Sequence, residues 1–129
     1  MVAVDTNVLV RLLTGDDPRQ SAVARSLFAG QEIWIAKSVL LETAWVLGSL
    51  YAFEQEAIRV ALVKLLGLKN VQSEDQLEVS EAFDLWAKGV DFADALHLTS
   101  RPAAAAFISF DRTFVKRAQR AGAPNVSSA

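Results

Sequence analysis

Two rhythms alternate along this chain: short apolar runs closed off by polar residues, and longer stretches with apolar side chains every three or four positions. The first pattern reads as buried strands and the second as amphipathic helices. Residues 2–4 form such a run and stop at Asp5-Thr6-Asn7, a strand that delivers polar groups at its C-terminal end. Val8, Leu9, Leu12 and Leu13 then take helical spacing up to Gly15. Asp16-Asp17-Pro18 supplies a carboxylate cap and a first-turn proline for a second helix, closed by Gly30. Residues 32–36 are the second strand, followed by a helix over about 38–50 and another over 54–66, ended by Gly67. Lys69-Asn70-Val71 reads as a short edge strand. Ser73-Glu74-Asp75-Gln76 matches a capping box and opens a helix to Lys88, with Gly89 as its stop. Asp91 caps a helix through Leu98, broken before Pro102. Residues 107–110 are the last strand this pattern marks, and a C-terminal helix runs from Asp111 to Ala121.

Strands separated by helices imply an α/β domain of three layers, α/β/α, with four to five short strands in a central parallel sheet. A chain of 129 residues fits one domain over 1–129, with room for a core that needs no disulfide or metal. There is no cysteine, which excludes disulfides and thiolate metal sites and fits a reducing cytoplasm. The N-terminus has no basic segment and meets a carboxylate at Asp5, unlike a signal peptide. No run approaches the roughly 18 apolar residues of a membrane span, and Glu42 interrupts the best candidate. Apolar residues nevertheless make up 52% of the chain, high for so small a domain. Some of that surface is expected at an interface, hence a homodimer or a tight partner complex. The net charge of −2 gives no global attraction to nucleic acid, so RNA binding would rest on a local basic patch or on metal ions.

Ligands of open α/β sheets bind beyond the carboxyl ends of the strands, and there the acids gather. Two expected strands end in Asp, at Asp5 and Asp111; Glu42 and Asp94 sit on helices that begin near the same rim. Glu42 lies in the otherwise apolar run Val39-Leu40-Leu41-Glu42-Thr43-Ala44-Trp45, where a buried carboxylate would need a neutralising partner. No basic residue lies within one helical turn of it, Lys37 being five positions away. Hard oxygen ligands without cysteine point to Mg²⁺ or Mn²⁺. Such an ion binds phosphate oxygens and lowers the pKa of a bound water. The plainer readings are capping for Asp5, Asp91 and Asp111, and a distant arginine partner for Glu42. Asp91 and Asp94 are three apart and share a helix face.

Four segments carry a resemblance. Val4-Asp-Thr-Asn-Val-Leu-Val10 is similar to the opening motif of the PIN-domain ribonucleases, specifically the VapC toxins of toxin–antitoxin pairs, with Asp5 as the first metal ligand and Thr6 and Asn7 as supporting polar groups. Ser38-Val-Leu-Leu-Glu42 resembles the second motif, Asp91-Phe-Ala-Asp94-Ala-Leu-His the third, and Ser109-Phe-Asp111-Arg-Thr-Phe the last, with Ser109 where Thr is common. The resemblance implies a PIN-like fold and catalytic acids at Asp5, Glu42, Asp94 and Asp111, with Asp91 as an additional metal ligand. It further implies endoribonuclease activity with Mg²⁺, inhibition by a cognate VapB-type antitoxin, and a homodimer.

Arg112, Lys116 and Arg120 recur every four residues, with Arg117 beside them. They form either a solvated face or, with Arg11, contacts to RNA phosphate. His97 follows Asp94 by three residues and is expected to be a structural hydrogen-bonder more often than a partner of that acid. Trp34 and Trp45 are expected in the core or a dimer interface. Among rivals, a phosphoacceptor signalling domain wants two adjacent acids after the first strand and a lysine after the last. A haloacid-dehalogenase-type hydrolase wants a second Asp where Asn7 stands. A non-catalytic PIN-like binding domain is the remaining alternative.

Overall fold

Ile33-Trp34-Ile35 is the hub of the first half of the chain. In the computed structural model, which describes residues 1–129, this strand is β2 (Ile33–Ile35). It pairs in parallel with β1 (Val2–Ala3) on one side and β3 (Val71–Ser73) on the other. Ile33 and Ile35 are fully buried while Trp34 between them is half-buried, the alternation of a pleated strand. The chain divides into two units, residues 1–76 and 77–129. The first unit surrounds this ladder with α1 (Thr6–Thr14), α2 (Pro18–Gly30), α3 (Lys37–Ser49) and α4 (Gln55–Leu66). Gly15 takes φ 65°, which lets α1 stop, and Asp17 then caps α2 by accepting from the Gln20 N–H at 3.0 Å. Leu9, Leu40, Leu47, Ile58 and Leu62 are the large side chains that α1, α3 and α4 bury completely, and α2 adds Phe28.

The second unit holds most of α5 (Gln76–Ala87), then α6 (Phe92–Thr99), β4 (Phe107–Ser109), α7 (Arg112–Arg120) and β5 (Val126–Ser128). β4 and β5 pair in parallel. Phe83, Trp86 and Phe92 stack on one another, the Trp86 and Phe92 rings 4.4 Å apart. Phe107 meets Phe114 edge to face at 5.5 Å, which fastens β4 to α7.

The α/β class and the flanking of parallel strands by helices agree with expectation. There are five strands, and their hydrogen bonds group them as three and two. Three local expectations change. The third strand lies at Val71–Ser73, two residues beyond the expected segment, in register with Ile33–Ile35, and the Asn70 side-chain amide just before it donates to the Phe28 and Gln31 carbonyls. Ser73 is therefore a buried strand residue, its hydroxyl without a partner, and cannot cap α5; the capping box does not form. Asp75 has φ 45° at that junction, and Glu74 instead accepts from the Lys37 N–H at 3.0 Å. β5 went unmarked because beyond Val126 its residues are serines and exposed, leaving no apolar run.

Candidate metal-binding acids

In the first unit, the end of β1 places Asp5 at the N-cap of α1, where one carboxylate oxygen accepts from the Val8 N–H at 3.2 Å. The next residue, Thr6, is buried, and its hydroxyl donates to Oε1 of Glu42 on α3. This bond pins Glu42 one residue from Asp5 along the α1 backbone. Glu42 itself is exposed. The expectation of a buried carboxylate fails because α3 buries Leu40, Thr43, Ala44 and Leu47, and position 42 falls outside that stripe at 3.6 residues per turn. α3 has more apolar residues than its inward face can take. Trp45 is on the outside for the same reason, 61% exposed, which removes the core reading for that residue. Glu42 therefore needs no metal for electrostatic balance: a hydroxyl donor and water suffice. Asn7 is exposed.

The second unit gathers three acids. Asp91 occupies the N-cap position of α6 yet makes no side-chain capping bond, so its carboxylate is not committed to the helix. Asp94 is half-buried in the first turn. Asp111 caps α7, one oxygen accepting from the Phe114 N–H at 3.0 Å, while its own N–H donates to the Ser109 hydroxyl at 3.0 Å. Asp91, Asp94 and Asp111 line a recess of about 50 Å³ together with Thr113 and Arg117. Burial first, then the charges of Asp91 and Asp111, push the Asp94 carboxyl upward from its ordinary value; His97 opposes them. His97 is exposed and its side chain makes no hydrogen bond within the chain, unlike the structural hydrogen-bonder expected there.

The cations sort into engaged and free. Arg11 is held by Asp16 at 2.9 Å, by Gln20 at 2.8 Å and by the Tyr51 hydroxyl at 3.1 Å. The Asp16 hydrogen bond raises its pKa further, and the Tyr51 hydroxyl is the main cause of the depressed Asp16 pKa. Arg112, Lys116, Arg117 and Arg120 are exposed and make no ion pair. Two features escaped the sequence reading. Arg117 lines the acidic recess, as its four-residue spacing from Thr113 would have allowed one to find. The Arg11–Asp16–Tyr51 network had no local signal, since Tyr51 is 35 residues from Asp16.

A PIN domain family model matches residues 2–120. The chain belongs to the PIN domain family. No curated protein matches the chain closely enough to stand as a relative. PIN domains are in general nucleases, and nuclease chemistry is what membership supports. The acids of this PIN domain are hard oxygen donors suited to a divalent cation. The caps at Asp5 and Asp111 each engage a single oxygen and leave the other uncommitted. The mutual repulsion at Asp94 is what a cation would relieve. No three carboxylate or imidazole groups are closed into a ready-made cage, so the fit is one of donor chemistry and charge. No helix of this PIN domain is long and apolar enough to cross a membrane.

Proposed function

We propose that this PIN domain, acting as one nuclease domain over 1–129, is a cytoplasmic Mg²⁺-dependent endoribonuclease, with Mn²⁺ able to substitute. Its biological role is that of a VapC-type toxin, blocked by a cognate VapB-type antitoxin. The observation that carries the chemical reading is the clustering of Asp91, Asp94 and Asp111 on one recess, where burial first and then the charges of Asp91 and Asp111 push the Asp94 carboxyl upward. Asp5, Glu42, Asp94 and Asp111 are assigned as the catalytic acids and Asp91 as a further metal ligand.

When bound, Mg²⁺ would draw charge from a phosphate oxygen and lower the pKa of an attached water, which removes the need for a nucleophilic side chain. Asp5 and Asp111 offer the carboxylate oxygen that their caps leave over. Thr6 orients Glu42, and Ser109 braces the backbone on which Asp111 sits. Arg112 and Lys116 carry unpaired charge for RNA phosphates, whereas Arg11 would have to release Asp16 to do so. The homodimer reading is supported by apolar surface left open at Trp45, Leu50 and Phe53, which are 61%, 69% and 44% exposed.

The purified protein should cleave single-stranded or structured RNA with Mg²⁺ or Mn²⁺, and Asp5→Asn should abolish cleavage. Asparagine caps a helix as well as aspartate does, so this variant removes a charge and keeps the fold. Undiminished cleavage in excess EDTA would sink the reading.

A further inference from the structure

Phe110 is the most exposed of the large apolar side chains, with 90% of its surface open, and it stands between the end of β4 and Asp111. Ile108, two residues back and therefore on the same side of the chain, is 54% exposed. Phe107, on the opposite side, is the residue that packs on Phe114, so the fold has already satisfied its need for an aromatic at this junction. Phe110 has no ring partner of its own. Beyond it, α7 presents Arg112, Lys116 and Arg120 as one stripe, and no carboxylate pairs with any of them. In a chain whose net charge is −2, this is a local concentration of uncompensated positive charge.

A bare aromatic ring next to a cationic track has the two parts of a surface that holds unpaired nucleic acid: bases stack on the ring while phosphates meet the cations. We propose that Phe110 is a stacking platform for a base of the RNA strand, with Arg112 and Lys116 holding the adjoining phosphates. The inference rests on the ribonuclease reading and adds to it the residue that grips a base of the strand. A protein partner would also cover Ile108 and Phe110, but it gives no reason for the unbalanced stripe beside them. Phosphate has the complementary charge.

The test is a titration of a fluorescently labelled single-stranded RNA of roughly a dozen nucleotides, carrying 2-aminopurine, against the Asp5→Asn protein in Mg²⁺. Phe110→Ala should weaken binding roughly 5- to 100-fold, the range for loss of one base–aromatic stack, and should abolish the quenching of 2-aminopurine. Phe110→Trp should restore both. Phe110→Leu, which keeps apolar surface without a π-face, should behave like Phe110→Ala. Equal binding by Phe110→Ala, or full rescue by Phe110→Leu, overturns the proposal. So does a shift in oligomeric state on gel filtration with RNA affinity unchanged, which would mark a protein interface. The two readings fail separately. Wild-type protein that binds the probe through Phe110 but cleaves no RNA defeats the ribonuclease assignment alone; cleavage that ignores every Phe110 variant defeats the platform alone.

Discussion

Replacing Asp94 by Asn should make the metal-free protein more stable and the Mg²⁺-loaded protein less so. Asp94 is half-buried, and its carboxyl is pushed upward by burial and by the charges of Asp91 and Asp111. An acid whose folded-state pKa exceeds its unfolded value of about 3.9 penalises the folded state above both values. Between them the native state binds more protons, so stability falls as pH rises through that window. Asparagine removes the penalty while keeping the shape. Relief of one partly solvated repulsion is worth about 0.5–1 kcal/mol. With an unfolding entropy of about 2.1 cal/mol/K per residue over 129 residues, that raises Tm by about 2–4 °C in EDTA at pH 7. The gain over wild type should be smaller at pH 4 than at pH 7, because the native wild-type carboxyl takes up its proton at a higher pH than an unfolded aspartate does and the penalty fades as it does so. With Mg²⁺ at tenfold its Kd, the wild-type protein should gain about 1.4 kcal/mol by mass action and the variant much less. Differential scanning fluorimetry with EDTA and Mg²⁺ arms, at pH 4 and 7, reads all four states. A variant that melts below wild type in EDTA at pH 7 refutes the repulsion argument, as does a gain of equal size at both pH values.

The caps give a second test. Asp111→Ala should cost about 1 kcal/mol in urea unfolding with EDTA present, through loss of the bond to the Phe114 N–H, while Asp111→Asn stays within about 0.5 kcal/mol. Asp91→Ala should be neutral to slightly stabilising, since Asp91 makes no capping bond and its charge repels Asp94; a loss matching that of Asp111→Ala would contradict this. Thr6→Val removes the donor that pins Glu42, and ribonuclease kcat should fall by about tenfold or more while circular dichroism is unchanged. Thr6→Ser should keep most of the activity, and equal rates for the Val and Ser variants would deny Thr6 a positioning role.

Helix boundaries were readable wherever capping chemistry is local. Asp17-Pro18 and Gly15 put the end of α1 and the start of α2 within a residue of their positions. The strands at 33–35 and 107–109 were equally plain from their apolar runs. What failed depended on distant residues. Ser73 looked like a cap because its neighbours fit the motif, but pairing with β2 claimed it first. Glu42 looked buried because apolar neighbours on both sides do not say which face of α3 turns inward, a choice that Leu40, Thr43 and Leu47 make together. The acids themselves were legible as a set, since strand ends and helix starts are marked by residue type. The alliances around them, Thr6 with Glu42 and Tyr51 with Asp16, join residues 36 and 35 positions apart and leave no trace in either local pattern.

Capping and metal binding are compatible roles for Asp5 and Asp111. A cap needs one acceptor oxygen aimed at the first turn, and in both residues that is all it takes. The bond then fixes χ angles that would otherwise be lost on binding a cation, so the cap pre-organises the oxygen that remains. Asp91 shows the converse: at a cap position but without the bond, it keeps both oxygens available and contributes to the repulsion at Asp94. Asparagine or serine would cap the first turn about as well, and the helix N-terminus itself favours a negative charge at Asp5 and Asp111. Capping therefore accounts for the charge at Asp5 and Asp111, whereas at Asp94, half-buried in the first turn of α6, burial and the charges of Asp91 and Asp111 oppose it. The Asp→Asn series, with shape conserved and charge removed, is the comparison that separates a role for the charge from the capping bond.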